Sequence, residues 1–144
     1  MLGRLAKWLR ILGYDTLYFS SLDDNDLVRI ARAEGRMVLT RDREMLRRKG
    51  IDCLLIESDD FREQIRQLLR DLKLKLDRSF SRCSVCNSPL QGVAKEAVRE
   101  RVPPYVFRTQ ERFSLCPQCG KIYWRGTHWQ RMRERLKGLE EETL

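Results

Sequence analysis

Four cysteines form two pairs with the same spacing, Cys83-Ser-Val-Cys86 and Cys116-Pro-Gln-Cys119. Two residues between paired thiolates allow both sulfurs to reach one ion, and two such pairs complete a tetrahedral site of four sulfurs. Because a closed site of this kind leaves no position for a substrate, the pattern predicts a structural zinc ion in a small ribbon. The alternative, two disulfides or unrelated thiols, is less favoured because the doubled spacing rarely arises by chance.

The composition limits the class of protein. A length of 144 residues allows one ordinary domain and a small module. No apolar run is long enough to span a membrane and no signal-peptide pattern opens the chain, so we expect a cytoplasmic protein. The net charge of +8 favours a polyanionic partner, with nucleic acid as the first candidate and a merely soluble basic surface as the alternative. The fifth cysteine, Cys53, lies in an apolar run and is expected in the core.

Hydrophobic periodicity alternates between helix and strand in the first half of the chain. The pattern predicts a short helix around Met45, helices at 2–12, 24–34 and 61–72, and strands at 16–19, 37–40 and 53–56. Strands that alternate with helices through short loops imply a parallel sheet and an α/β fold. Beyond this region, cysteine knuckles, prolines and short β-like runs replace the alternation. We therefore predict an α/β domain at 1–78 and a zinc ribbon with a C-terminal helix at 79–144.

Acidic residues follow each of the three predicted strands. In an open parallel sheet, sites form beyond the carboxyl ends of the strands, which meet at one edge. Asp15 and Asp52 precede their strands and are therefore excluded as candidates. Carboxylate oxygens suit Mg²⁺ or Mn²⁺, and such ions can activate water for phosphodiester cleavage. The candidate ligands, in the order of the three strands, are Asp23, Asp24 and Asp26, then Asp42, then Glu57, Asp59 and Asp60.

Helix capping is the competing explanation for these aspartates. Aspartate is a favoured N-cap residue and each of these loops begins a helix, so capping alone explains any one of them. Asp42 is the strongest single candidate, because Arg41 and Arg43 flank it and can bind phosphate. The one histidine, His128, has no plausible serine or cysteine partner in the sequence, and there is no glycine-rich phosphate loop.

Short segments along nearly the whole chain carry a resemblance to a known family. In the first part they are residues 1–10 (MLGRLAKWLR), 12–15 (LGYD) and 39–42 (LTRD). In the second part they are residues 82–87 (RCSVCN), 102–104 (VPP), 116–120 (CPQCG) and 123–129 (YWRGTHW), of which the last is the most specific. Together these segments resemble the PIN-like RNase domain named for the C terminus of the Mut-seven exonuclease.

This resemblance implies a PIN-like three-layer α/β domain with a parallel sheet, fused to a zinc ribbon, and Mg²⁺- or Mn²⁺-dependent endoribonuclease activity on RNA. By position, Asp42 matches the acid of a Thr-Arg-Asp motif, Asp24 matches the acid that opens the second helix, and Asp59 is a weaker match. The rivals of these three are Asp23, Asp26 and Asp60. The alternative functions are a non-catalytic RNA-binding or adaptor protein that retains the fold, and a toxin-type RNase.

The start of the sequence departs from the family pattern. Members of the family usually begin with a strand that carries an aspartate just before the segment matched by residues 1–10. This sequence starts at that segment, so we expect the first strand and one metal ligand to be missing and the RNase activity to be weakened. The periodicity shows the same gap, because the chain enters its sheet on a helix.

Aromatic and basic residues interleave after the last cysteine, in residues 123–129. Such residues can stack on unpaired bases and contact phosphate. We favour packing roles for Trp124 and Trp129, because so small a module has little other apolar mass. The residues predicted to bind RNA are Arg41, Arg43, Arg125 and His128.

Overall fold

The structure, a computed structural model, describes residues 2–75 and 78–143, except for the side chains of residue 128 and residues 140–143. The first part of the chain forms α1 (Gly3–Ile11), α2 (Asp24–Glu34), β1 (Met37–Thr40), a 3₁₀ helix (Arg43–Arg47), β2 (Asp52–Leu55) and α3 (Phe61–Asp71). The second part forms β3 (Gln91–Val93), a 3₁₀ helix (Lys95–Val98), α4 (Pro104–Thr109), β4 (Phe113–Leu115), β5 (Ile122–Trp124) and α5 (Thr127–Thr143).

The strands β1 and β2 form a parallel pair, with Val38 opposite Cys53 and Leu39 opposite Leu54. A 3₁₀ helix makes the connection between them, and its buried Met45 packs against α2 and β1. The α/β fold with a parallel sheet is thereby confirmed. Cys53 was expected in the core; it is half-buried and packs at the edge of this cluster.

The main core lies between α1 and α3. Leu5 and Leu9 stand one turn apart on α1, and Ile65 and Leu68 occupy the facing side of α3. Each of these side chains is at most 5% exposed, and burial of such a side chain stabilises the fold by about 2 kcal/mol. Ile56, just beyond β2, completes the contact between these helices and the sheet.

The prediction of a strand at residues 16–19 is wrong. This segment has no strand partner in the described part of the chain, and Leu17, Tyr18 and Phe19 are exposed. The backbone of Thr16 bonds to side chains instead, because its N–H donates to Asn87 Oδ1 at 2.9 Å and its carbonyl accepts from Arg10 Nε at 2.8 Å. Side chains from α1 and from the second part of the chain therefore occupy the backbone groups of Thr16 that a strand would use.

The second part of the chain contains a three-stranded antiparallel sheet in the order β3-β4-β5. Its small core consists of valines and one phenylalanine, with the side chains of Trp124 and Phe107 packed on it, and the buried members are Val98, Val102, Val106 and Phe113. Pro103 and Pro104 set the start of α4, where a missing N–H costs nothing. This sheet and the four cysteines agree with the predicted zinc-ribbon module.

The last helix, α5, returns to the first part of the chain. Its buried residues Met132, Leu136 and Leu139 belong to the same core cluster as Leu5 and Leu9. The two predicted segments therefore share one core through α5, although the boundary at 78/79 itself remains a prediction. Leu76 and Asp77, next to that boundary, lie outside the described residues.

An apolar groove of about 520 Å³ runs beside the outer edge of β1. It lies between α1, α2 and the segment at 16–19, and the exposed side chains of Phe19 and Met37 line it. Within the described residues, each helix is too short or too polar to cross a lipid bilayer.

Candidate metal centre and nucleic-acid interface

The four cysteines converge although 29 residues separate the two pairs in the sequence. Their Sγ atoms all lie within 4.8 Å of one another, and Cys83 Sγ is 3.8 Å from Cys119 Sγ. Cys83 and Cys116 are fully buried, whereas Cys86 is half-buried and Cys119 is exposed. Each pair contributes one buried and one more exposed cysteine, so the four sulfurs come together at the surface of the second part of the chain.

The two pairs have the same local turn. The N–H of Cys86 donates to Cys83 Sγ at 3.4 Å, and the N–H of Cys119 donates to Cys116 Sγ at 3.5 Å. The residue after each pair, Asn87 or Gly120, has a positive φ of 66° or 76°. Asparagine and glycine tolerate this left-handed conformation best, which explains why these two residue types follow the two pairs.

The donor set fits a structural metal ion. Four sulfurs within 4.8 Å of one another match the ligands of zinc, and four protein ligands close its coordination shell. Burial raises the pKa of the Cys83 thiol, but hydrogen bonds from Tyr123 and from the backbone N–H groups of Cys86 and Val85 outweigh burial and lower that pKa to about 6. The cluster can therefore hold a structural metal such as zinc.

The first cysteine pair is tied to the α/β part by hydrogen bonds. Arg10, on α1, donates to the carbonyls of Ser84 and Val85 at 3.1 and 3.2 Å. Asn87 Nδ2 donates to Asp15 Oδ1 at 2.6 Å. Through these bonds, the turn of the first cysteine pair contacts both α1 and the segment that follows α1.

Asp15 continues this connection to α2 and β1. Both of its carboxylate oxygens accept from the guanidinium of Arg36 at 3.1 Å. The hydrogen bonds from Arg36 and then Asn87 lower the pKa of Asp15 below its ordinary value of 3.8. The residue that the sequence analysis excluded from the metal site therefore joins three parts of the fold.

Of the three predicted catalytic aspartates, two follow the carboxyl ends of the parallel strands and one opens a helix. Asp24 is the exposed first residue of α2, Asp42 follows β1, and Asp59 lies in the exposed loop between β2 and α3. Arg48 donates to Asn25 Oδ1 at 2.7 Å and so joins the start of α2 to the segment after β1. The sequence contained no signal for this hydrogen bond, because Arg48 and Asn25 belong to separate turns of the chain.

Capping accounts for part of the aspartate pattern. Asp42 Oδ1 accepts from the N–H of Glu44 at 3.0 Å and caps the 3₁₀ helix. The rivals Asp23 and Asp60 cap α2 and α3 in the same way. A further rival, Asp26, forms an ion pair of 2.7 Å with Arg29.

The described carboxylates do not form a compact ligand cluster. In residues 2–75 and 78–143, the four cysteines are the only group of three or more His, Cys, Asp or Glu side chains with ligand atoms within 4.8 Å of one another. The catalytic assignment of Asp24, Asp42 and Asp59 accordingly stays a prediction.

The predicted RNA-binding residues fall into two places. Arg41 is half-buried and donates to the carbonyl of Ile56 at 3.2 Å, so it ties the ends of the two parallel strands, while Arg43 beside it is exposed. Arg125 is exposed, with its guanidinium 5.0 Å from the centre of the Trp129 ring. The side chain of His128 lies outside the described residues.

Both tryptophans of this region are packing residues, as predicted. Trp124 lies 6.4 Å from Phe113 in the core of the second part of the chain. Trp129 lies 5.2 Å from Phe80 with the ring edge turned toward it. Neither ring is an exposed platform for bases, since both are half-buried.

Comparison with known proteins decides the family. The family model of the Mut7-C RNAse domain matches residues 1–136, which include the α/β part and all four cysteines. The chain belongs to the Mut7-C RNAse domain family. Membership establishes an RNase-type function at the level of the family and RNA as the class of substrate. Searches among curated proteins and among solved structures gave no significant match.

Proposed function

We propose that this Mut7-C chain is a Mg²⁺- or Mn²⁺-dependent endoribonuclease in which the zinc ribbon helps to bind RNA. The observation that carries the proposal is the family match over residues 1–136, combined with aspartates after both parallel strands. The net charge of +8 supports RNA as a partner, because basic side chains neutralise phosphates. Cysteines that hold a metal ion must stay reduced, so the four-cysteine cluster supports a reducing compartment, in line with the expected cytoplasmic location.

The carboxylates at the sheet edge suit the role of metal ligands. Asp24, Asp42 and Asp59 offer the hard oxygen atoms that Mg²⁺ and Mn²⁺ prefer. Such an ion, when bound, activates water and stabilises the leaving oxygen of a phosphodiester. Arg43 is exposed directly beside Asp42 and is free to orient a phosphate near these carboxylates.

The test separates the charge of Asp42 from its capping role. Asparagine caps helices as well as aspartate does, so Asp42→Asn retains the cap on the 3₁₀ helix and removes only the negative charge. We expect this variant to lose Mn²⁺-dependent cleavage of a labelled single-stranded RNA, by at least about a hundredfold. Asp52→Asn, at the opposite end of the parallel pair, is the matched control and should cleave like the wild type. Equal cleavage by Asp42→Asn and wild type, or cleavage that resists EDTA, would overturn the proposed metal site.

A non-catalytic RNA-binding protein is the second candidate function. Two observations favour it: Asp42 already serves as a cap, and the described carboxylates form no compact cluster. This function predicts salt-sensitive RNA binding by the wild type without metal-dependent cleavage. Measurement of binding and cleavage on the same RNA distinguishes the two functions.

A further inference from the structure

Two arginines meet on one aromatic ring at the start of α5. The guanidinium of Arg125 lies 5.0 Å from the centre of the Trp129 ring, and that of Arg133 lies 5.3 Å from the same centre. Arg125 precedes the helix, whereas Arg133 stands one turn beyond Trp129 and therefore faces the same side. Guanidinium groups within about 6 Å of a tryptophan ring are attracted by its π electrons.

The ring itself is fixed by packing. Phe80 contacts Trp129 at 5.2 Å, and Phe80 in turn packs against the main core. The indole N–H is buried and has no acceptor among the described atoms, so ring contacts rather than a hydrogen bond position this side chain. Trp129 is thus a packed ring with both guanidiniums within 5.3 Å of its centre.

Neither arginine of this pair has an acidic partner in the described part of the chain. The ion pairs found there use other basic residues, such as Arg29, Arg36 and Lys95. Arg125 and Arg133 are both exposed. A guanidinium that is attracted to a ring face still carries N–H groups that can donate to other partners. The pair therefore offers preorganised donors of a kind that match phosphate oxygens.

We propose that Arg125 and Arg133, held on Trp129, form a phosphate-binding site for single-stranded RNA. The inference rests on the proposed RNA binding and adds Arg133 as a binding residue and Trp129 as a positioning residue. Holding the two guanidiniums on one ring reduces the entropy lost when they bind phosphate. The site lies in the second part of the chain, so it can hold RNA without taking part in cleavage.

The test compares two pairs of arginines on the same part of the protein. Arg125→Gln/Arg133→Gln should weaken binding of a fluorescein-labelled single-stranded RNA at least about tenfold, because hydrogen bonds to charged groups are lost. The slope of log affinity against log salt should fall by about 1.4, or about 0.7 for each lost phosphate contact. Arg131→Gln/Arg135→Gln removes the same charge from exposed positions with no described contact to the ring, and should change the slope by clearly less.

Two further variants test the ring and the guanidinium. Arg125→Lys/Arg133→Lys keeps the charge but loses the planar donors, so it should restore only part of the affinity. Trp129→Leu keeps both charges but should reduce the salt dependence of RNA affinity as the double glutamine variant does. Trp129→Phe, which keeps an aromatic ring, should restore the wild-type salt dependence. Zinc content and the far-ultraviolet circular dichroism spectrum report whether each variant is folded.

Each outcome has a distinct meaning. If the wild type fails to bind RNA, the proposed RNA binding fails and this site fails with it. If the wild type binds RNA but the ring pair behaves like the Arg131 and Arg135 control, the site is overturned while RNA binding stands. Wild-type affinity in the lysine variant also overturns the site, because bulk charge would then suffice.

Discussion

Tyr123 places its hydroxyl inside the cysteine cluster. The hydroxyl oxygen is 3.1 Å from Cys83 Sγ and accepts a hydrogen bond from the N–H of Ser84, also at 3.1 Å. Burial and the contact with Cys83 raise the pKa of Tyr123 to about 12, so the phenol keeps its proton at neutral pH. A protonated phenol can donate to a thiolate, and outer contacts of this kind orient metal ligands.

We expect Tyr123→Phe to lower the zinc affinity about tenfold, because Cys83 then loses a donor while the aromatic ring keeps its packing. Competition with a chromophoric chelator measures this change. Tyr105→Phe is the matched control, since Tyr105 is 63% exposed on α4 and should leave the affinity unchanged. Equal zinc affinities for Tyr123→Phe and wild type would show that the hydroxyl serves only to bond Ser84.

At the scale of elements, the sequence predicted the helices, which depend on local pattern, but not the conformation of a segment that depends on a distant contact. Helices α1, α2 and α3 followed from apolar periodicity, and Asp23, one of the aspartates expected as caps, does cap α2. The strand at 16–19 was predicted from the apolar β-formers of that segment. The segment has no strand partner in the described residues, and Arg10 and Asn87 bind the backbone of Thr16 instead. Asn87 lies 71 positions away in the sequence, so no local signal could report this contact.

The candidate site shows the same division. The spacing of the cysteines alone predicted the four-sulfur cluster, because that chemistry requires a fixed local turn. The role of Asp42 was ambiguous in the sequence and stays so, because a cap and a metal ligand demand the same residue at the same place. The position of Tyr123 against Cys83 depends on the pairing of β4 with β5, which the sequence did not specify.

The outer edge of β1 gives a prediction at this scale. Met37 is 47% exposed on that edge, beside the apolar groove, and an open strand edge promotes pairing with another chain. We expect the protein to associate as its concentration rises, and Met37→Lys to reduce that association, because lysine on an edge strand opposes pairing. Sedimentation velocity measures the effect.

Leu46→Lys supplies the control for this change. Leu46 is also 47% exposed, but it lies in the 3₁₀ helix and does not line the groove. The control should therefore associate like the wild type. If the two lysine variants behave alike, the groove and the strand edge do not drive association.

At the scale of the whole molecule, the metal centre and the main core are parts of one structure. Arg10 and Asn87 join the first cysteine pair to α1 and to the segment that follows it. From the other end, α5 contributes Met132, Leu136 and Leu139 to the core built on α1 and α3. If two independent domains met near residue 78, unfolding of the ribbon would leave the α/β part stable. The shared core predicts instead that unfolding of the ribbon also destabilises α1 and α3.

We therefore expect removal of zinc to destabilise α1 and α3 as well as the ribbon. Without metal the two cysteine pairs separate, because structural zinc supplies folding free energy directly. The hydrogen bonds from Arg10 to the first cysteine pair then break. The position of α5 is no longer fixed at its start, because α5 begins just after β5 in the ribbon. Each of its three buried side chains that leaves the core costs about 2 kcal/mol, enough to open a domain of ordinary stability. Hydrogen exchange of the α1 and α3 amides, measured with and without a zinc chelator, should show faster exchange after chelation.

Cysteine substitutions make the same comparison without a chelator. Cys116→Ser removes one ligand of the cluster and should accelerate exchange in α1 and α3 as chelation does. Cys53→Ser removes the half-buried thiol of β2, which is not part of the cluster. This variant should retain one zinc per chain, and its α1 and α3 amides should exchange as slowly as those of the wild type. If Cys116→Ser loses zinc and opens the ribbon while the α1 and α3 amides keep their protection, the shared core does not transmit the loss. In that case the α/β part is stable without α5.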